Sequence, residues 1–202
     1  MEKSNIIHLC KTFNIEKYKI NNDYTIDVYQ DVNLQNNALV QIRIPFNNVY
    51  GNFDCSKNNL TSLIYCPRYV SGHFNCSNNE LTSLGGCPKI IDGLFICSFN
   101  RIESLKYGPE IVGGSYVCGG NKITSLEFLP EKLISLNVSS NNLTNLKYIS
   151  KDISSVIHIY DNDIEDFNDL PYHLIKNVKT DKFNELLKYK RSKKLELINN
   201  LF

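Results

Sequence analysis

The sequence predicts a solenoid, because one unit of 21 residues is written four times in succession. Val49–Tyr69 reads VYGNFDCSKNNLTSLIYCPRY, and the same pattern returns in Val70–Ile90, Ile91–Ile111 and Val112–Lys132. Weaker copies lie on both sides and bring the total to seven. A fixed period of this size is typical of chains that stack one supersecondary unit on the next. Seven copies exceed the roughly three that such a stack needs to bury a continuous core.

An asparagine sets the phase of the repeat and predicts an asparagine ladder. Apolar residues stand five and three positions before it, and two and five positions after it, in every copy. The two apolar positions before the asparagine are spaced by two, so they point to one side of a short strand. The asparagine amide suits the turn that follows and can bond backbone groups that would otherwise be buried without partners. The ladder residues are Asn37, Asn58, Asn79, Asn100, Asn121, Asn141 and Asn162.

The unit resembles the leucine-rich repeat, whose motif is L-x-x-L-x-L-x-x-N/C-x-L. This resemblance implies a right-handed superhelix with a parallel β-sheet on its concave face. Prolines recur after the last leucine of the unit, at Pro67, Pro88 and Pro109 among others, and they block a long helix there. The convex face is therefore predicted to consist of coil or single 3-10 turns.

One continuous domain is predicted, with a cap at each end. Residues 1–31 form an N-terminal cap that contains an amphipathic helix and a strand, and residues 32–172 hold the seven repeats. Residues 173–202 form a basic helical C-terminal cap, with a break expected near Lys190 and Arg191. Caps are expected because an open end would leave strand edges and apolar side chains in water.

The more detailed motif F-x-C-S-x-N-x-L-T-S-L-x-x-x-P resembles the short leucine-rich-repeat proteins of large tailed phages and large DNA viruses. This likeness extends over nearly all of the chain, including the segment that leads into the first repeat. It implies a viral or phage protein that serves as a binding scaffold.

Composition and motifs exclude several functional classes. The net charge of +1 argues against an affinity of the whole protein for nucleic acid or membrane. Six of the seven cysteines follow the repeat, and we interpret them as small buried hydrophobes in a reducing compartment. We find no catalytic constellation, no metal-ligand spacing and no cofactor motif, so we expect neither an enzyme nor a cofactor. No leader and no long apolar run is evident, which predicts a cytoplasmic protein, in the host cytoplasm or the virion if it is viral.

Apolar residues replace polar ones at one place on the predicted sheet surface and mark a candidate binding site. Leu94, Ile96, Phe99 and Val117 occupy positions that the repeat gives no structural reason to make apolar, and they fall on adjacent strands. His158 and Tyr160 form a possible second anchor. Contiguous exposed apolar surface indicates an interaction site, and the predicted partner is another protein.

Three alternatives stay open at the level of sequence. The protein could be a structural, self-assembling virion component that uses the same surface. The basic C-terminal helix could contact nucleic acid, although it lacks stacking aromatic residues. Finally, Phe99 could fold back over its turn, or a terminal segment could cover the apolar residues, and either would remove the site.

Overall fold

The computed structural model describes residues 2–199 and shows a solenoid of stacked turns with a spacing of about 21 residues. Three elements precede the stacked turns of the solenoid: helix α1 (Lys3–Thr12) and the antiparallel strands β1 (Tyr18–Ile20) and β2 (Ile26–Val28). Met1 of the predicted N-terminal cap and residues 200–202 of the predicted C-terminal cap lie outside the described residues.

Most turns of the solenoid contribute two short strands. In chain order these are β3 (Val32–Asn33), β4 (Phe46–Val49), β5 (Phe53–Asp54), β6 (Tyr69–Val70), β7 (Phe74–Asn75), β8 (Ile90–Ile91), β9 (Phe95–Ile96), β10 (Ile111–Val112), β11 (Tyr116–Val117), β12 (Lys132–Leu133), β13 (Leu136–Asn137), β14 (Asp152–Ile153), β15 (Ile157–His158) and β16 (Val178–Lys179). A 3-10 helix (Tyr172–Asn177) precedes β16, and helix α2 (Phe183–Asn199) follows it.

The first sheet has eight parallel strands in the order β16-β15-β13-β11-β9-β7-β5-β3. Seven of its strands begin five residues before a ladder asparagine, where the sequence predicted them, and β16 adds an eighth strand after the last repeat. Neighbouring strands pair at the period of the repeat, as in Phe53 with Phe74 and Phe74 with Phe95. The prediction of a stacked parallel-strand solenoid is therefore confirmed.

A second sheet lies in the part of each turn for which coil or 3-10 turns were predicted. It has the order β1-β2-β4-β6-β8-β10, and β12 pairs with β14 in the same register further along. In β8, β10, β12 and β14 the first residue is exposed and the second is buried. Each of these strands therefore points one side chain inward, so the second sheet also contributes to the core.

The core is one continuous cluster that receives side chains from both sheets. The residues five positions before the asparagine form an aromatic stack inside it. Ring centroids are 5.5 Å apart for Phe53 and Phe74, 6.1 Å for Phe74 and Phe95, and 4.7 Å for Phe95 and Tyr116. These distances fit the favourable range for aromatic pairs and give a direct measure of the step from one turn to the next.

The two helices pack on the ends of the solenoid through few side chains. Helix α1 buries Ile6 and Cys10. From α2, Leu186 and Tyr189 are buried, and the Tyr189 hydroxyl donates to the Leu170 carbonyl at 2.7 Å. The break predicted near Lys190 and Arg191 is wrong, because α2 runs through both residues without interruption. No helix within residues 2–199 has the length and apolar character needed to cross a membrane.

Candidate functional site

The ladder asparagines hold consecutive turns together. The Asn79 side-chain nitrogen donates to the carbonyls of Cys55 and Cys76, and its oxygen accepts the N–H of Leu60 at 2.9 Å. The same pattern, with a donor two positions after the preceding asparagine, recurs at Asn58, Asn100, Asn121, Asn141 and Asn162. Asn37 belongs to the first copy, is exposed, and donates to the carbonyl of Gln35. The six inner asparagines therefore satisfy backbone groups of two turns at once.

The residue just before each ladder asparagine has a left-handed backbone. Its φ is positive in all seven copies: Asn36 (57), Lys57 (53), Asn78 (55), Phe99 (56), Gly120 (69), Ser140 (55) and Asp161 (53). Asn, Asp and Gly adopt this conformation with little cost, whereas a bulky aromatic residue rarely does. Phe99 is the one aromatic residue at this position in the seven copies, although Tyr65, Tyr107, Phe128 and Tyr148 have a positive φ at another position of the turn.

Asparagine and aspartate side chains cap the turn on the first sheet, four residues before the ladder position. Asp54, Asn75 and Asn137 each accept the N–H of the residue two positions later, at 2.8, 3.1 and 3.0 Å. Asn33 makes the same bond to Gln35. Ile96 and Val117 occupy this position in the fourth and fifth copies and have no side-chain oxygen, so they give up the cap.

A second row of acceptors stops at the same place. Asp31 accepts the N–H of Asn52 at 2.7 Å, and Asn52 accepts that of His73 at 2.8 Å. His73 Nδ1 then accepts the N–H of Leu94 at 2.9 Å, which places the ring proton on Nε2. Leu94 has no acceptor to continue the row. Two independent capping rows are thus interrupted where the apolar residues begin.

Leu94, Ile96, Phe99 and Val117 form one surface, called here the apolar patch. Ile96 and Val117 are direct neighbours in the β9–β11 pairing. Leu94 leans toward Gly114, and the Phe99 ring lies over Gly120, 2.7 Å from where a Cβ of Gly120 would stand. The Phe99 ring therefore occupies the space beside Gly120. The ring is still 64% exposed, and the other three side chains are partly exposed.

His158 and Tyr160 form a separate aromatic pair on β15 and the turn after it. Their ring centroids are 5.9 Å apart, and Tyr160 is exposed. Strand β13 lies between β11 and β15, so this pair is two strands from Val117 and does not touch the apolar patch. Ser56, Ser77 and Ser98 stand two positions before a ladder asparagine, where strand alternation predicts an exposed side chain, but all three are buried.

The cysteines lie in the core as free thiols. All seven are buried, and burial raises the pKa of Cys66, Cys76, Cys87 and Cys97 well above the ordinary thiol value. Burial likewise raises the pKa of Cys10 to about 11. Thiols in this state are poor nucleophiles and poor metal ligands. Among the described residues, no group of three or more His, Cys, Asp or Glu is placed to hold a metal ion.

Sequence reasoning missed a row of exposed aromatic residues seven positions after the ladder asparagine. We call Tyr65, Tyr107, Phe128 and Tyr148 the aromatic row. Each has a positive φ, and Gly86 takes the equivalent position in the third copy. The constant offset was visible in the sequence, but only the structure shows that these rings face outward.

The C-terminal helix presents basic side chains to solvent. Lys188, Lys190, Arg191 and Lys194 are exposed, while Lys193 pairs with Glu196 at 2.7 Å. The Lys193 ammonium also lies 5.9 Å from the centre of the Tyr189 ring. This surface is separate from the apolar patch.

Fold and surface together define a solenoid repeat protein with an exposed apolar patch on its first sheet. No protein-family model matches the chain, and no curated protein matches it with significance.

Proposed function

We propose that the chain is a leucine-rich-repeat protein, with the first sheet on the concave face of a right-handed superhelix and a helical cap at each end. The fit of the repeat to the leucine-rich motif supports this, as does the asparagine that bonds backbone groups of two consecutive turns. We further propose a phage or viral origin, on the resemblance of the full repeat motif and of the segment that precedes it.

We propose that the protein is a non-enzymatic scaffold that binds another protein through the apolar patch. The observation that carries this proposal is the joint loss of capping at Leu94, Ile96 and Val117. Each replaces a polar type that would have bonded a backbone N–H, and each puts apolar surface in contact with water. A change that costs hydrogen bonds and solvation at three neighbouring positions is best explained by a partner that covers them.

The geometry also indicates the chemistry of the partner surface. The patch has a protruding ring at Phe99 beside the shallower pair Ile96 and Val117, which suits an apolar groove or side chain on the partner. His158 and Tyr160 offer a second, more polar contact two strands away. Aromatic anchors of this kind often dominate binding energy. We place this interaction in the cytoplasm of the host or in the virion.

The first test replaces the patch with residues the repeat already uses. In Ile96→Asn/Phe99→Asn, the fourth copy receives the residues that the third copy has at Asn75 and Asn78, so folding should be preserved. Proteins retained from host lysate by the wild type are identified, and the affinity of the purified partner is then measured. We expect the double variant to bind it at least about tenfold more weakly.

Asp54→Asn/Lys57→Asn is the matched control, because it creates the same residues at the same two positions outside the patch. This control should bind like the wild type. Equal binding by the wild type and the Ile96→Asn/Phe99→Asn variant would refute the patch as the binding site. If instead the wild-type mass rises with concentration and the variant stays monomeric, the patch mediates self-assembly and the protein has a structural role.

A nucleic-acid contact through α2 is the second alternative. The four exposed cations of α2 favour it. It would show as affinity that falls steeply with salt and is unaffected by changes in the apolar patch.

A further inference from the structure

The aromatic row has one gap, and the gap forms a cleft. Tyr65 and Tyr107 belong to the second and fourth copies, and the third copy has Gly86 where a ring would stand. The resulting cleft has a volume of about 490 Å³ and is bounded by both tyrosines. Cys66, Pro67 and Cys87 also line it, and all three are buried.

Gly86 keeps the cleft open. Its φ is +89, beyond the values of 66 to 74 at the four aromatic positions. A Cβ placed on Gly86 would lie 2.6 Å from the carbonyl oxygen of Leu63, which is backbone and cannot swing away. The close approach of the two turns therefore excludes a side chain at this position.

The spacing of the repeat indicates that one planar ring fits between Tyr65 and Tyr107. Rings one turn apart in the core have centroid distances of 5.5 and 6.1 Å. Tyr65 and Tyr107 are two turns apart, so a ring inserted between them would meet each at a normal aromatic contact distance. Tyr65 and Tyr107 are 54% and 56% exposed, so about half of each residue is open to solvent.

Cations line one side of the cleft. Arg68 and Lys89 stand at equivalent positions of neighbouring turns, and both line the cavity. Lys106 adds a third cation at the tyrosine wall, because its ammonium lies 5.0 Å from the centre of the Tyr107 ring. Glu110 pairs with Lys89 at 3.1 Å, but both side chains are half-exposed or more, and an exposed pair of this kind is weak and exchangeable.

We propose that the Tyr65–Tyr107 cleft binds a small planar aromatic phosphate. Its ring stacks between the two tyrosines, and its phosphate is held by Arg68 and Lys89. A ring and an anion on one small molecule match the two features that the cleft combines. This site is independent of the apolar patch and of the function proposed for it.

The test follows the Gly86 amide by nuclear magnetic resonance in the full chain. The protein is titrated with adenosine 5′-monophosphate, phenyl phosphate, adenosine and inorganic phosphate. A probe with both ring and phosphate should bind at least about tenfold more tightly than adenosine or inorganic phosphate. Tighter binding of the nucleotide would identify a nucleotide site, and tighter binding of phenyl phosphate would identify an aryl phosphate site.

Two pairs of variants separate the cleft from general surface effects. Tyr107→Ser should weaken binding about tenfold or more. Tyr148→Ser should not, although Tyr148 has nearly the same exposure, a similar φ, and Lys147 4.9 Å from its ring centre. Lys89→Gln should weaken binding of both aromatic phosphates, whereas Lys151→Gln, at the equivalent position of a distant turn, should leave it unchanged. The proposal is wrong if no probe gives a saturable shift at Gly86, if inorganic phosphate binds as well as the aromatic phosphates, or if both members of a variant pair behave alike.

Discussion

Single side chains of the ladder carry much of the cohesion between turns. Asn79 is buried and joins groups of two turns, and removing its amide would leave the Leu60 N–H without its acceptor, while the Cys55 carbonyl would keep its bond from Asn58. Asn37 has the same place in the first copy but is exposed and donates to the carbonyl of Gln35, within its own turn. The same residue type therefore contributes very differently to the stability of the fold at these two positions.

We expect Asn79→Ala to lower the free energy of unfolding by about 2–3 kcal/mol, because it leaves the buried Leu60 N–H unsatisfied and removes one of the two donors to each of the Cys55 and Cys76 carbonyls. Asn37→Ala serves as the control and should cost about 1 kcal/mol or less, since water replaces its bonds. Urea denaturation of both variants measures the difference. Similar losses for the two would contradict the role given to the inner asparagines.

Burial of the thiols has a consequence for stability at high pH. A thiol whose pKa is raised by folding stabilises the fold fully below its unfolded pKa of 9.0, and this contribution is lost as pH rises through the folded value. The free energy of unfolding should therefore decline from about pH 9 upward, by up to about 1.4 kcal/mol per pH unit for each thiol whose pKa is raised well above 9.0, namely Cys66, Cys76, Cys87 and Cys97.

Cys76→Val isolates one of these thiols, because Val138 already fills the same position of a later copy. We expect the variant to lose less stability than the wild type between pH 8 and pH 10. Denaturation at several pH values gives the two slopes, and the lysines and tyrosines that also titrate affect both proteins equally. Parallel slopes would show that Cys76 ionises freely in the folded protein.

At the scale of elements, the aromatic stack contains one pair of residues whose sizes compensate, Tyr116 and Gly108 in neighbouring turns. Tyr116 stands where three earlier copies have phenylalanine, and its buried hydroxyl has no hydrogen-bond partner among the described residues. Eight residues upstream, Gly108 replaces the cysteine of the two preceding copies, and a Cβ on Gly108 would lie 3.1 Å from the Tyr116 hydroxyl oxygen. The glycine makes room for the hydroxyl.

This pair predicts a strong coupling in a double-mutant cycle. Gly108→Cys should destabilise the wild type by about 1–3 kcal/mol through overpacking, and by less in the Tyr116→Phe background, where the close contacts with the Leu105 carbonyl oxygen and the Leu84 side chain remain. Tyr116→Phe alone should be neutral or stabilising, since it removes a buried hydroxyl without a partner. Thermal or urea unfolding of the four proteins provides the measurement, and additive effects would show that the two residues do not compete for space.

The first sheet could be predicted because its apolar positions alternate around a fixed asparagine. The second sheet could not, because a strand such as Ile90–Ile91 has one buried residue, Ile91, and a single inward position shows no alternation. The nearby prolines indicated coil, yet Pro88 lies just before β8 and does not prevent it. Backbone pairing with the strands of the neighbouring turns determines the conformation here, and the sequence of a single repeat does not show this pairing.

The candidate site was predictable in part. An apolar residue at Ile96 stands out against the Asp and Asn of earlier copies, so the sequence alone identifies the patch. The capping bonds that Ile96 and Val117 give up depend on backbone geometry and became visible only in the structure. How closely consecutive turns approach likewise determines the burial of Ser98 and the position of the Phe99 ring over Gly120.

At the scale of the whole molecule, the ladder has a direction. Each inner asparagine bonds its own turn and the turn before it, as Asn58 does with Leu34 and Asn162 with Val138. The chain is synthesised from its N-terminus, so every such asparagine meets groups that have already left the ribosome. Each new turn can thus pack on the preceding, already folded turn soon after it is synthesised. The solenoid can therefore fold one turn at a time during translation, before its C-terminal residues are made.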